Sequence, residues 1–166
     1  KKNFQLMAAH FNHQLREDSE EESELLKKYC DEKNVSLFIA KWPKEEQPQV
    51  GIEAAARHAR YAFLTQIAKE NKADYLLTAH HGDDLLENIL LKFIRSGNPE
   101  EMNSLQRVGE MHGVKLLRPL LGYSKDELLQ YNQAHRIDFI TDSTNQADET
   151  MRNRLRHHVV PLLKKE

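Results

Sequence analysis

The sequence predicts an α/β protein with a mainly parallel sheet flanked by helices, because short apolar runs of strand length alternate with longer segments of helical periodicity. Two Ser-x-x-Glu capping boxes, at Ser19 and Ser124, mark the starts of two of these helices. The clearest junction is an apolar run at residues 75–79 that breaks at residues 80–82 (His-His-Gly) and continues as an amphipathic segment. Open parallel sheets carry their chemistry at such strand-to-helix turns.

The first half of the chain predicts two strands and two helices. In order, these are a strand at residues 5–11, a helix from Ser19 to about Glu32, a strand at 36–41, a mobile polar loop at 42–50 and a long helix from Gly51. The predicted buried stripe of the long helix consists of Ile52, Ala56, Ala59, Phe63 and Ile67. Arg57, Arg60 and Tyr61 fall together on another face of that helix.

The second half continues the alternation. We first expect a buried strand at 75–79 and a helix whose apolar face carries Leu85, Leu86, Ile89, Leu90, Phe93 and Ile94. A short helix with Pro99 in its first position and a strand at 115–121 come next. The chain then continues with a helix from Ser124 to about His135, a short strand at Phe139 and Ile140, and a helix from about Glu149. The last helix is expected to bury Met151, Leu155 and Val159, and Pro161 ends or kinks it.

Composition bounds the class of protein. A chain of 166 residues corresponds to about one domain, with 39% apolar and 30% charged residues. No apolar run approaches membrane-spanning length and no signal-peptide pattern opens the chain, so we expect a cytoplasmic protein without membrane contact. The single cysteine, Cys30, excludes an internal disulfide and a multi-cysteine metal site, and we expect it in the core. Net charge is −2, but residues 149–166 form a basic patch that suits phosphate.

Oxygen-bearing side chains collect where the helix after residues 75–79 begins. Either Asp83 or Asp84 could cap that helix, which explains one aspartate. Capping does not explain the second aspartate, nor Glu87 and Asn88, which lie three and four residues after Asp84. Magnesium binds through one or two carboxylates and shares its other positions with substrate phosphates. We therefore predict a magnesium site here rather than a cap alone.

Six segments, in order, resemble one known family: residues 9–16, 51–61, 78–87, 118–121, 142–145 (Asp-Ser-Thr-Asn) and 152–156. With them the chain resembles the catalytic domain of the bacterial tRNA(Ile)-lysidine synthetases, in the N-type ATP pyrophosphatase (PP-loop) superfamily. The resemblance implies an adenine nucleotide alpha hydrolase-like, Rossmann-like fold. No glycine pattern here matches a phosphate loop. We thus expect residues 1–166 to be a partial domain, inactive alone, whose Ser-Gly-Gly-x-Asp-Ser loop and central first strand lie upstream of Lys1.

The resemblance also implies a reaction and its ligands. ATP adenylates the wobble cytidine of tRNA(Ile) with a CAU anticodon, and free L-lysine then displaces AMP to give lysidine. ATP and Mg²⁺ are the implied cofactors, and the tRNA(Ile) anticodon loop and lysine are the implied partners. A homodimer is left open.

Site roles follow from the same resemblance. Asp83 and Asp84 would hold Mg²⁺ with support from Glu87, and His81 would contact substrate beside them. The backbone at Ala9, His10 and Phe11 would lie against the adenine. The residues expected to line the face that meets phosphate and the target nucleotide are Arg57, Arg118, Arg152, Asn153 and Arg156, of which Arg57 also serves ATP. For Arg154, Lys164 and Lys165, solvated charge is at least as good an interpretation.

Three other functions remain open at this point. The pair His80 and His81 followed by two aspartates is superficially similar to the motif of metal-dependent HD phosphohydrolases. Those proteins are all-helical, whereas a predicted strand leads into His80 in this chain. A tRNA thiolase of the same superfamily needs several cysteines, and this chain has one. A non-catalytic fragment that binds tRNA or a protein partner is the third alternative.

Overall fold

The computed structural model describes residues 4–15, 19–102, 105–140, 148 and 150–165. The chain divides into two compact units: Lys1–Leu76 with Glu110–Lys115, and Leu77–Gly109 with Leu116–Glu166. We call them the first and the second unit and describe each by itself. None of the helices among the described residues has the length and apolar character that crossing a membrane requires.

The first unit begins with two of the predicted strands, which pair with each other. Strand β1 (Met7–Asn12) pairs in parallel with β2 (Ser36–Lys41), and α1 (Ser19–Lys33) connects them. Asn12 is buried at the end of β1 and donates its side-chain amide to the carbonyl oxygen of Ser19 at 3.1 Å. This bond fixes the end of the strand to the start of the following helix. The two strands and α1 agree with the predicted elements.

Helix α2 (Ile52–Glu70) follows a 3₁₀ turn (Lys44–Glu46), and Gly51 precedes the helix at a φ of 71°. Its fully buried residues are Ala56, Tyr61, Thr65 and Ala68. Of the predicted buried stripe only Ala56 is fully buried, and its other members are half-buried. Tyr61 is just 2% exposed because the guanidinium groups of Arg57 and Arg60 lie over its ring, 4.9 and 5.4 Å from the ring centroid. The sequence missed this burial.

The remaining elements alternate as expected, with one hairpin that the sequence did not predict. They are β3 (Leu76–Leu77), α3 (Gly82–Arg95), α4 (Pro99–Met102), β4 (Val108–Met111), β5 (Val114–Leu117), a 3₁₀ turn (Pro119–Gly122), α5 (Lys125–Ala134), α6 (Met151–Arg154), a π-helical turn (Leu155–Val159) and α7 (Val160–Leu163). Strands β3, β5 and β4 form a sheet in that order. His112 and Gly113 join β4 to β5 with φ angles of 50° and 76°, the type I′ hairpin geometry.

Among the described strands, no pair links the β1–β2 sheet to the β3–β5–β4 sheet. The position of a further strand upstream of Lys1 stays a prediction.

Several expected burials in the second half are wrong. Phe93 and Ile94 near the end of α3 are 63% and 53% exposed, and Leu77 in the predicted buried strand is 55% exposed. Met151, expected in the core, is also exposed. The other predicted members of the α3 face are half-buried, whereas Leu155 of the last helix is fully buried.

The predicted strand at Phe139 and Ile140 is absent, since both residues lie in irregular chain after α5. Pro161 does not end the helix, which continues to Leu163, and a π-helical turn precedes the proline; a kink at this position stays a prediction. A proline has no N–H to donate to the preceding turn, which is an ordinary cause of such a change in the helix. Cys30 is buried, as predicted.

Candidate functional site

The turn into α3 is closed by its own residues. His81 lies at the N-cap position, and its backbone N–H donates to Asp84 Oδ2 at 3.0 Å. Gly82 donates its N–H to the carbonyl oxygen of Tyr123 at 2.7 Å, and a Cβ at position 82 would meet that oxygen at 3.0 Å. A side chain at position 82 would therefore need the backbone at Tyr123 to shift by a few tenths of an ångström, and Asp84 does cap the helix.

Asp83 has a different set of partners, all of them donors. Its Oδ2 accepts from the backbone N–H of Lys125, the first residue of α5, at 3.0 Å. The ammonium group of Lys164, just after α7, lies 3.2 Å from Oδ1 and 3.3 Å from Oδ2. The same ammonium group lies 2.8 Å from Oδ2 of Asp126. These contacts raise the pKa of Lys164, the hydrogen bond to Asp126 contributing most.

Glu87 is completely buried and holds two arginines. Its Oε1 accepts from Nε of Arg156 at 2.6 Å, and its Oε2 accepts from Nη2 of the same guanidinium at 2.9 Å. Nε of Arg152 lies 3.4 Å from Oε2. The hydrogen bonds that Arg156 donates to Glu87 raise the pKa of Arg156 above its usual value. Because arginines occupy both oxygens, Glu87 anchors cationic side chains, where the sequence had suggested support for a metal.

A cavity of about 620 Å³ in the second unit is lined by residues of both charge signs. Its lining consists of His81, Asp83, Glu87, Lys125, Asp126, Arg156, Val160, Pro161 and Lys164. The ring Nδ1 of His81 is buried and has no hydrogen-bond partner within the described part of the chain. A polar cavity with an unpaired ring nitrogen can accept a polar ligand, and the contact between His81 and substrate stays a prediction.

Three charged residues of this lining lie outside the predicted site. Lys125 and Asp126 belong to the capping box at Ser124, and for Lys164 the sequence left solvated charge as at least as good an interpretation. Lys164 meets carboxylates 81 and 38 residues away, so no local pattern could have indicated the contacts.

The carboxylates beside the cavity could hold magnesium as one or two ligands, but not as a complete set of protein ligands. Among the described residues, no group of three or more His, Cys, Asp or Glu is arranged to hold a metal ion. Asp83 lines the cavity and already accepts a cation, the ammonium of Lys164, beside both of its oxygens. One or two carboxylates completed by substrate phosphates are the usual way proteins hold Mg²⁺ at phosphate-transfer sites.

In the first unit, Ala9, His10 and Phe11 lie half-buried near the end of β1. Burial lowers the pKa of His10, and burial with a smaller contribution from the Arg60 charge lowers the pKa of His13 to about 4. Nε2 of His10 and Nδ1 of His13 are buried and without a hydrogen-bond partner among the described residues. Arg57 is exposed on α2 and lies over the ring of Tyr61.

The remaining predicted arginines differ in exposure. Arg118 is 6% exposed, and its Nη1 donates to the carbonyl oxygen of Gln106 at 2.7 Å, so it ties together two segments of the second unit instead of lining an open face. Arg152 is about half exposed. Asn153 is half-buried, and its backbone N–H donates to Oγ1 of Thr150, the N-cap of α6. Residues 142–145 of the predicted motif lie outside the described residues.

The turn between β3 and α3 carries acidic and basic groups beside a polar cavity, and α/β folds commonly bind their ligands at such strand-to-helix turns. The chain belongs to the PP-loop domain family, whose model matches residues 1–163. This finding confirms the predicted superfamily and the predicted fold class.

Comparison with individual proteins shows to which members of this family the chain is similar. The chain is 62% identical over 162 residues to a tRNA(Ile)-lysidine synthase from Lactobacillus johnsonii, covering 98% of this chain and 38% of that protein. It is 41% identical over 166 residues to a tRNA(Ile)-lysidine synthase from Enterococcus faecalis, covering 100% of this chain and 36% of that protein. The predicted resemblance is thus confirmed, and the chain spans well under half the length of these relatives.

One solved structure shares the fold. It is the U34-tRNA thiolase NcsA from Methanococcus maripaludis with its 4Fe-4S cluster, at a TM-score of 0.78 and 16% sequence identity. The match covers 97% of this chain and 56% of that one. At this identity the likeness concerns the fold alone.

Proposed function

We propose that this protein takes part in the ATP-dependent ligation of lysine to the wobble cytidine of tRNA(Ile) with a CAU anticodon. ATP adenylates the cytidine with release of pyrophosphate, and the amino group of free lysine displaces AMP to form lysidine. The observation that carries the proposal is the 62% identity, over nearly the whole chain, to a tRNA(Ile)-lysidine synthase. The geometry of the second unit supports it, since the reaction needs fixed cations near phosphate. A cytoplasmic location belongs to the same proposal.

The arginines are suited to neutralising phosphate charge. Attack on an α-phosphate depends mainly on positioning and on charge stabilisation by groups that are already in place. The bidentate contact with buried Glu87 fixes Arg156 before any ligand arrives. Arg152 also pairs with Glu87 but keeps about half of its side chain exposed, so that it can meet a phosphate as well. Glu87 then acts as a positioning residue for these two cations.

Magnesium would be held by Asp83 and Asp84 together with phosphate oxygens of ATP. When bound, it supplies positive charge that stabilises the charge developing on the phosphates. His81 would contact the substrate with its unpaired ring nitrogen. The backbone of Ala9, His10 and Phe11 is proposed to meet the adenine, with Arg57 near the phosphates. Asn153 completes the proposed set of residues around the target nucleotide, which an anticodon loop presents unstacked at low energetic cost.

The test is incorporation of radiolabelled lysine by the full-length protein into a tRNA(Ile) transcript with a CAU anticodon. We expect incorporation that requires ATP and disappears when cytidine 34 is replaced by uridine. ATP-dependent transfer of labelled sulfur without lysine incorporation would support the thiolase alternative instead. Binding of the tRNA with no transfer of either label would support the non-catalytic alternative.

A further inference from the structure

The ammonium group of Lys164 occupies a place where a metal cation would compete with it. It lies nearly equidistant from the two oxygens of Asp83, at 3.2 and 3.3 Å, and Asp126 holds it from the other side at 2.8 Å. The Asp83 carboxylate is itself fixed by the backbone N–H of Lys125. The ammonium of Lys164 and a metal ion therefore cannot both lie against the two oxygens of Asp83.

We infer that Lys164 is an internal competitor for the cation site on Asp83 and weakens the affinity of this protein for divalent metal. The inference rests on the proposed function, which assigns Mg²⁺ to Asp83 and Asp84. A divalent ion that binds Asp83 displaces the ammonium of Lys164, which remains paired with Asp126. Lys164 is therefore a residue that sets metal affinity without contacting the reacting atoms.

The geometry gives the size and the direction of the effect. The pair that a metal ion would break is Lys164 with Asp83, whose side chains are 32% and 15% accessible, so water weakens it only in part. Partly exposed ion pairs contribute up to about 1 kcal/mol, which corresponds to a change of up to about fivefold in an equilibrium constant. Because little of the Asp83 side chain is accessible, we expect the upper part of this range: removing the ammonium should tighten divalent metal binding by about two- to fivefold. A purely structural lysine would leave the affinity unchanged or weaken it when removed.

The experiment titrates the full-length protein with Mn²⁺ and follows free Mn²⁺ by electron paramagnetic resonance. The variants are Lys164→Met, its neutral alternative Lys164→Gln, and Lys164→Arg, which keeps the positive charge. Lys165→Met is the matched control, because it removes an adjacent, exposed lysine charge. Asp83→Asn identifies the site. We expect two- to fivefold tighter binding in Lys164→Met and Lys164→Gln, and wild-type affinity in Lys164→Arg and Lys165→Met.

The outcomes distinguish the assignment of a metal ion to Asp83 from the competition by Lys164. If Asp83→Asn removes a Mn²⁺ site but neither neutral variant binds more tightly, the competition by Lys164 is refuted and the metal assignment stands. Equal tightening in Lys165→Met also refutes it, because the effect would be one of general charge. If Asp83→Asn binds Mn²⁺ as the wild type does, the metal assignment fails, and the role of Lys164 fails with it.

Discussion

Glu87→Gln tests the interpretation of Glu87 as the anchor of two arginines. Glu87 is completely buried and accepts two short hydrogen bonds from Arg156, at 2.6 and 2.9 Å. Glutamine has nearly the same shape, but its amide group places N–H donors against a guanidinium that is also a donor. Removing one partner from a buried ion pair costs about 3 to 5 kcal/mol. Because Arg156 keeps about a quarter of its side chain in water, we expect the lower end, about 3 kcal/mol.

Hydrogen–deuterium exchange of the α3 amides in the full-length protein is the suitable assay, because it reports the opening of this helix alone. A loss of about 3 kcal/mol corresponds to exchange that is about 100-fold faster. Glu101→Gln is the matched control, since Glu101 pairs with Lys92 of α3 at 3.4 Å on the exposed surface and should change exchange less than about fivefold. If Glu87→Gln changes exchange no more than Glu101→Gln does, the anchoring role is refuted.

Three further predictions concern ligands and pH. Asp84→Asn in the full-length protein should lower lysine incorporation by about 100-fold or more while the fold persists. Activity within a few-fold of wild type would contradict the proposal that Asp84 helps to hold magnesium. Arg152→Ala and Arg156→Ala should weaken tRNA binding more than ATP binding, and each should reduce the slope of log affinity against log salt by about one; unchanged slopes would contradict phosphate contact. His13 has its pKa lowered to about 4, so its contribution to stability is complete above the unfolded value of 6.5 and is lost as pH falls towards 4. His13→Gln should therefore flatten the loss of stability between pH 6.5 and 4, measured by urea unfolding, and an unchanged profile would contradict it.

The elements that sequence could predict are those whose chemistry is local. Ser124 accepts from the N–H of Glu127 with its hydroxyl, and Glu127 accepts from the N–H of Ser124, so four residues define the start of α5. Strand β2 has the predicted bounds because a short apolar run is enough to indicate a strand. Local signals also located the turn at residues 80–84. They could not find the β4–β5 hairpin, whose His-Gly turn departs from the common Asn-Gly and Asp-Gly signals.

What could not be predicted depends on distant parts of the chain. The periodicity of α3 favoured Phe93 and Ile94 as buried residues, yet the completely buried residue of this helix is Glu87. Burial of a carboxylate is tolerated because arginine partners arrive from a helix 65 and 69 residues further along. The partners of Lys164 are equally distant in sequence. A single sequence contains no signal for such pairings.

Three carboxylates within five residues of sequence thus have three different environments. Asp84 closes the helix start through the N–H of His81, Asp83 accepts the ammonium of Lys164, and Glu87 is bound by arginines. Their substitution should therefore fail in different ways. Asparagine at position 83 should remove metal binding, whereas glutamine at position 87 should loosen α3 and displace both arginines with the metal affinity retained. The sequence grouped Asp83 and Asp84 as ligands of one ion with Glu87 in support; the structure gives Glu87 to two arginines instead, and the metal on the two aspartates stays a proposal.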